Sequence, residues 1–529
     1  MTSFLRRTLA AQSAFLVLFL GVVPAGAATI HVSIDGTGDG TSEATATSIE
    51  DAMDSAQAGD EVVLHAGYYG DLVLSSRKFA EETHVVAAEG QDVHVRTLAI
   101  EGSENLTVSG LSVSLSHADS YERDTMVTVG GGSSSVTVSD CDIFSVPDSE
   151  IGAWSANDWA ELPGTAVSVR SADIAIVGNR IRNVGHGISV NYDAPRATVS
   201  YNHIQNFSRD GLRGVADEGL FEYNTVLDAY DVDDHHDDFF QSWSYEDGVV
   251  GTTVVRGVVL RGNLFVNFTD PERPFAGAAQ GIGCFDGFFE DWVVENNVIV
   301  VNHWHGITFL GARNMRIVNN TVLDNRLDDG PGPPWIEVSA HKNGEPSSEI
   351  LIRNNLAQDI NLEAENSTED GNMIFDEPGA LFIDHLNFDL RLLPGAEAID
   401  VGTDDEAPRL DFDRILRPQG RGIDVGAFEW HDGSAEPVGS PPPSVVSGSG
   451  GSSAGSVSGD AGAGHSGGHG DNEGSRSDPG SGDGGQSGES AGCSCRQGGG
   501  PDGASSPWML MLSLALGICF RARRFGASA

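Results

Sequence analysis

Val177-Gly178-Asn179-Arg180-Ile181 is followed by Val199-Ser200-Tyr201-Asn202-His203-Ile204 and Phe221-Glu222-Tyr223-Asn224-Thr225-Val226. The phrase returns at Val259-Leu260-Arg261-Gly262-Asn263-Leu264, Val293-Val294-Glu295-Asn296-Asn297-Val298, Ile317-Val318-Asn319-Asn320-Thr321-Val322 and Ile350-Leu351-Ile352-Arg353-Asn354-Asn355-Leu356. Each copy is an apolar alternation, an asparagine and a second alternation. Period-two alternation of β-branched and aromatic residues marks a strand with one buried face. The marked asparagines are 23 residues apart from Asn179 to Asn202, 22 from Asn202 to Asn224 and 23 from Asn297 to Asn320. A period in the low twenties with strand-type alternation makes each repeat one coil of a solenoid. Leucine-rich repeats share the period, but their leucine spacing is missing. Longer gaps, such as Asn224 to Asn263, read as loops inserted at a corner. The expected fold is all-β, a right-handed parallel β-helix. Asparagine is expected to take the left-handed conformation at the corner, which it tolerates better than most residues. Its side chains are expected to stack along the axis. Weaker copies, Leu106 to Val113 and Val136 to Ile143, put Gly110 and Asp140 in the asparagine place.

Outward from the repeats, Ser48 to Ala56 has early acids and apolar residues at Ile49, Ala52, Met53 and Ala56, a short amphipathic capping helix. Gly59-Asp60-Glu61-Val62-Val63-Leu64 then opens the first coil, and Ala66-Gly67-Tyr68-Tyr69 follows. This order resembles the opening of exported β-helix proteins of the pectate-lyase-like superfamily. At the other end stand Phe388-Asp389-Leu390-Arg391-Leu392, Ala398-Ile399-Asp400-Val401-Gly402, Arg417-Pro418-Gln419-Gly420 and Asp424-Val425-Gly426-Ala427-Phe428-Glu429. They resemble the closing segment of surface β-helix proteins called choice-of-anchor domains. The two resemblances cover most of residues 28–430 and imply fold and export. They imply no single activity, because this fold hosts lyases, hydrolases, epimerases, adhesins and scaffolds.

The termini read as addresses. Arg6 and Arg7, the apolar run Ala14 to Val23 and Ala25-Gly26-Ala27 form a secretory signal peptide over residues 1–27. Residues 431–492 are dominated by Gly, Ser, Pro, Asp and Ala, a disordered linker that buries too little to offset its ordering entropy. Residues 493–529 hold Cys493-Ser494-Cys495, a short apolar helix from Trp508 to Phe520, and Arg521, Arg523 and Arg524. This order resembles the myxobacterial C-terminal sorting tag, and the resemblance implies processing or lipidation at Cys493. A plain tail anchor is the alternative. The expectation is export to the cell surface or outer membrane, or release outside the cell. Membrane contact is expected only through the C-terminal segment, and the chain is expected to be a monomer.

Thirty basic against 77 acidic side chains give a formal net charge of −47. Phosphate binding needs a basic surface, so nucleic acid is excluded as a partner. The acidity suits calcium, which takes oxygen ligands, and equally suits plain solubility. Of five cysteines only Cys141 and Cys284 fall in the main body, which makes no disulfide framework.

Each coil carries a second strand phrase. Aligned on their inward residues Ile188, Leu212, Phe240, Ile282, Ile307 and Ile336, these phrases give an outward column of Ser189, Arg213, Gln241, Gly283, Thr308 and Glu337. Two places before the inward residue stand His186, Asp210, Asp238, Gln280, His305 and Pro334, which reach the same strip only if a bend intervenes. The run from Asp231 to Trp243 concentrates five aspartates and two histidines. Crowded carboxylates repel, so a cation is the expected compensation, with Asp210, Asp234, Asp237 and Asp238 as candidate ligands. Arg213, His236 and His305 are the candidate catalytic residues. His186, Gln241, Trp243, Trp304 and Glu337 are the candidate substrate contacts.

The superfamily resemblance implies an acidic extracellular polysaccharide as substrate. A lyase must neutralise the uronate carboxylate, remove the C5 proton and protonate the leaving oxygen. Calcium or a guanidinium does the first, and a Lys, Arg, His or Tyr side chain the second. A calcium-assisted lyase or epimerase is the first reading, a glycoside hydrolase using paired carboxylates the second. A non-catalytic glycan-binding or structural surface protein is the alternative from another class.

Overall fold

The computed structural model describes residues 26–270, 272–324 and 331–439. Nearly all of the signal segment, the linker beyond residue 439, Cys493 and the terminal apolar run lie outside these residues. Among the described residues no helix is long and apolar enough to cross a membrane.

Three long sheets of sixteen, twelve and eleven strands run the length of the body. One coil shows how they are made. Thr165–Val169 lies in the eleven-stranded sheet, Ile174–Val177 in the sixteen-stranded and Arg180–Val184 in the twelve-stranded. Ile188–Val190 then returns beside Thr165–Val169, in parallel. The protein is a right-handed parallel β-helix, as the repeats predict. The inward residues of all three sheets merge into one core running from Val32 to Ala357.

The asparagines form a ladder, with one correction. Asn179, Asn202, Asn224, Asn263, Asn297, Asn320 and Asn355 are all buried at the corner between the sixteen- and twelve-stranded sheets. The left-handed residue is the one before each: Gly178, Tyr201, Tyr223, Gly262, Asn296, Asn319 and Asn354, with φ between 53° and 66°. That residue turns the chain and swings the following asparagine inward. Gly110 and Asp140 belong to this turning position too, and Cys141 takes the ladder place, its N–H donating to Asn179 Oδ1 at 3.1 Å. Asn297 is a typical rung. Its Oδ1 accepts the backbone and side-chain N–H of Asn263 at 3.0 and 2.9 Å, and its Nδ2 donates to Leu260 O and Asn320 Oδ1 at 2.9 and 3.0 Å. Asn297→Ala strands these buried groups without partners and should cost about 2–4 kcal/mol, read as a lowered urea midpoint.

The helix Ile49–Ser55 forms where expected, with Ser48 Oγ accepting the Asp51 N–H at 3.1 Å and Ala52 and Met53 buried. The first strand is earlier than expected: Thr29–Val32 pairs with Glu61–Leu64 ahead of the helix. The closing residues lie along a sheet face. Val298, Val300 and Leu323 of the twelve-stranded sheet pack with Phe382, Leu390, Val425 and Ala427 in a second apolar cluster. Thr321 Oγ1 accepts the Ala427 N–H at 2.9 Å, and Asn319 Nδ2 donates to Asp424 O at 3.0 Å. Inside this cover Arg417 and Glu429 form an ion pair at 2.8 Å with both side chains fully buried. Cys141 and Cys284 are buried and unbridged. Burial pushes both thiols up, that of Cys141 to about 12.

Candidate active site

The eleven-stranded sheet pairs the expected residues coil by coil. Ile188 lies beside Leu212, Leu212 beside Phe240, Phe240 beside Ile282, Ile282 beside Ile307 and Ile307 beside Ile336. The outward column is therefore Ser189, Arg213, Gln241, Gly283, Thr308 and Glu337, in register.

The bend is present as well. Phe239 and Phe240 are consecutive and both fully buried, so Asp238 sits where the strand turns. In neighbouring coils glycines occupy the place of Phe239. A Cβ on Gly211 would stand 2.5 Å from Val226 Cγ1, and one on Gly281 would stand 2.3 Å from Gly306 O. At His305 an irregularity in register does the same, since His305 pairs with Trp335 and Ile307 with Ile336. The residue before each bend thus turns back toward the outward column. Arg213 Nε donates to Asp210 Oδ2. Gln241 Nε2 donates to Asp238 Oδ2 at 2.9 Å. His305 Nδ1 and Thr308 Oγ1 are 3.0 Å apart.

The centre of the strip is a histidine–aspartate pair. Asp238 has no exposed surface, and its Oδ2 lies 2.8 Å from His236 Nδ1. The hydrogen bond to Asp238 raises the His236 pKa, and Nε2 is left as the outer nitrogen of an imidazole whose side chain is 58% exposed. Burial pushes the Asp238 carboxyl up, the His236 hydrogen bond pulls it down and the nearby Asp210 carboxylate adds to the rise. Burial likewise drives Asp237 well up. Three other imidazoles are driven down, His303 to about 4 and His305 to about 3 by burial, and His186 well below its usual range by burial and then by Arg213. The phenyl ring of Phe285 neighbours both His236 and His305, 6.5 Å and 4.9 Å away between ring centroids.

The predicted contacts divide. Arg213 lies over the Trp243 ring at 5.3 Å. Trp304 is 39% exposed and stacks on Trp335 at 6.1 Å. Glu337 faces outward and accepts from Ser339 Oγ at 3.0 Å, its carboxyl raised by burial. His186 lies one coil away with its side chain only 18% exposed, 3.8 Å from Asp210. His341 is buried, with its Nε2 accepting the Gly287 N–H at 3.2 Å, and Lys342 pairs with Asp286 at 2.9 Å.

The four aspartates expected to hold calcium do not make a donor set. Among the described residues no group of three His, Cys, Asp or Glu side chains is placed to hold a metal ion. Asp210 is engaged by Arg213 and Asp238 by His236 and Gln241, while Asp237 is buried and Asp234 points to solvent. Arg213 and His236 stand against Asp210 and Asp238 where a cation was expected.

Phe285 and His303 were missed by the sequence reading. Extending the outward column by two residues from Gly283 finds Phe285. His303 has no such signal, because it lies in the turn before its strand.

Asp411 and Asp424 have pKa values raised in the folded state, both to about 6, with burial as the first cause. Between the usual carboxylate pKa near 4 and this value the folded chain binds more protons than the unfolded one. Their contribution to stability is full below about pH 4 and is lost as pH rises toward 6. The urea midpoint should therefore fall less steeply across this window in Asp411→Asn than in the unaltered protein.

Residues 156–357 match the family described as right handed beta helix region. No curated protein matches the chain. Solved structures similar to it include pectate lyase Pel9A, at 13% identity over 77% of this chain and 97% of that one, with a TM-score of 0.36. The mannuronan C-5 epimerase AlgE6 A-module of Azotobacter vinelandii is 15% identical over 62% of this chain and 93% of its own, with a TM-score of 0.35. The PL6 family alginate lyase AlyGC is 14% identical over 66% of this chain and 53% of its own, with a TM-score of 0.33.

Proposed function

We propose that the protein acts on an extracellular acidic polysaccharide by abstracting the C5 proton of a uronate residue, with β-elimination as the outcome and C5 epimerisation as the close variant. The observation that carries this reading is the buried Asp238 carboxyl bonded to the exposed His236 on a strip that also presents Arg213. A proton carrier must be near neutrality and open to substrate. His236 meets both conditions, since Asp238 fixes its tautomer and raises its basicity. Arg213 supplies the cation that stabilises charge developing on the uronate carboxylate. His305, held neutral, offers a hydrogen bond to a sugar hydroxyl. Trp304 and Trp243 supply apolar platforms.

In the elimination, His236 Nε2 takes the C5 proton and the C–H pair becomes the C4–C5 double bond. The C4–O bond breaks, and the imidazolium returns a proton to the leaving oxygen. In the epimerisation C4–O stays intact and C5 takes a proton from the opposite face. Calcium, expected from the acidic run, finds no donor set here, so no step is routed through it. Hydrolysis is the weaker chemistry, because it needs two accessible carboxyls flanking one bond, whereas Asp210, Asp237 and Asp238 are each 3% exposed or less, which leaves Glu337 without an accessible partner among them.

The test is ultraviolet absorbance of the unsaturated product over a panel of uronate polymers, with and without chelator. A rise that survives chelation and disappears in Arg213→Ala is expected. Absence of a rise together with deuterium uptake at C5 in heavy water assigns epimerisation. Absence of both, with retained polymer binding, leaves the non-catalytic glycan-binding module. Export through residues 1–27 and surface attachment through Cys493 belong to the same proposal. Its check is the mass of the surface-extracted protein, expected to begin near Ala28 and to change in Cys493→Ala.

A further inference from the structure

Beyond the strip, at the edge where the eleven-stranded sheet turns toward the sixteen-stranded one, lies a cavity of about 530 Å³ lined by Tyr192, Val215, Asp217, Tyr245, Glu246 and Arg256. One wall is a two-stranded hairpin in which Tyr245 pairs with Val250 and Glu246 with Val249. Asp247 and Gly248 make its turn, both with positive φ (50° and 86°), the mirror-image geometry that suits the twist of paired strands. The hairpin sets Tyr245 against Tyr192, with ring centroids 4.9 Å apart, and Tyr192 remains 55% exposed.

The cavity lies beside the strip along the chain. Val215 comes two residues after Arg213, and its N–H donates to Val190 O at 3.1 Å. Tyr245 comes two residues after Trp243, the ring beneath Arg213. Two residues of chain span at most about 7 Å, so one glycan chain reaches both places.

The charges select the ligand. Arg256 is already engaged, its Nε 3.2 Å from Glu290 Oε2 and its backbone N–H bonded to Asp217 Oδ1 at 2.8 Å. The lining thus carries two carboxyls, Asp217 and Glu246, against one guanidinium, Arg256, which is shared with Glu290. They repel a uronate carboxylate and accept hydrogen bonds from hydroxyls, while an exposed tyrosine face packs against the C–H face of a sugar ring.

We infer that this cavity binds a neutral sugar residue, so that the polymer placed on the strip is a heteropolysaccharide in which neutral units accompany uronate. The inference rests on the glycan reading of the strip. The experiment is titration calorimetry of the full chain with cellohexaose, xylohexaose, mannohexaose and maltohexaose, with hexagalacturonate as the charged control. One neutral hexasaccharide is expected to bind. Tyr192→Ala and Tyr245→Ala, each with unchanged thermal unfolding, should weaken it roughly tenfold, and Tyr192→Phe should keep it within about twofold. Binding of no neutral probe, equal binding in both alanine variants, or tyrosine-dependent binding of hexagalacturonate in preference to the neutral probes would overturn the inference. Absence of ultraviolet product and C5 exchange beside intact tyrosine-dependent binding would instead remove the proposed chemistry and leave the cavity assignment standing.

Discussion

Turnover of the uronate polymer should fall by about 10²–10⁴-fold in His236→Ala, with substrate binding nearly unchanged. The argument rests on which imidazole can carry a proton. His186, His303 and His305 are all driven down by burial, two of them to about 4 and 3. A base that weak has little driving force for a carbon acid. His236 is raised by its bond to Asp238 and its side chain is more than half exposed. Asp238→Asn separates orientation from charge. The amide oxygen can still accept from His236 Nδ1, but the charge that supports the imidazolium is gone. The acidic limb of the rate profile should move to lower pH, with a smaller loss of rate than in His236→Ala. Initial-rate kinetics by ultraviolet absorbance over pH 5–9 would decide. Equal rates in His236→Ala and the unaltered protein would remove His236 from the reaction.

Arg417→Met should destabilise the fold by about 3–5 kcal/mol, the cost of leaving a buried charge unpaired. Arg417 and Glu429 have no exposed side-chain surface. The guanidinium also donates to Asp424 O at 3.2 Å, Gly426 O at 2.9 Å and Asn296 Oδ1 at 3.2 Å, tying the closing segment to a ladder corner. Removing it orphans Glu429, which also accepts the N–H of Gln419 at 2.8 Å and of Asp424 at 3.2 Å. The double variant Arg417→Met, Glu429→Gln removes the lone charge and keeps an acceptor for these N–H groups. It should recover a measurable part of the loss. Urea midpoints of the three proteins test this, and a single variant as stable as the original would mean that the pair contributes nothing net.

The fold was legible because a coil is a local object. Alternation and the returning asparagine state in a few residues which side chains point inward, and neighbouring coils repeat the statement. The outward column could be aligned from Ile188 to Ile336 for the same reason. The left-handed position was misplaced by one residue. Asparagine favours that conformation in isolation, but the ladder needs the side chain inside, so the preceding Gly, Tyr or Asn takes the turn.

The site was legible as a set of positions and not as a set of charges. Arg213, His236, Asp238 and Gln241 could be named from alignment and composition. Whether five aspartates need a cation depends on burial and on partners many residues away. Asp210 reaches Arg213 and Asp238 reaches His236 because consecutive inward residues or a glycine bend the strand. The sequence by itself determined the coil, its period and the face on which chemistry could gather, since these follow from side-chain alternation along one chain. Only the tertiary structure decided which carboxyls and imidazoles are buried, how they pair and where the closing segment lies. Desolvation and ion pairing depend on distances between coils, and no single repeat encodes them.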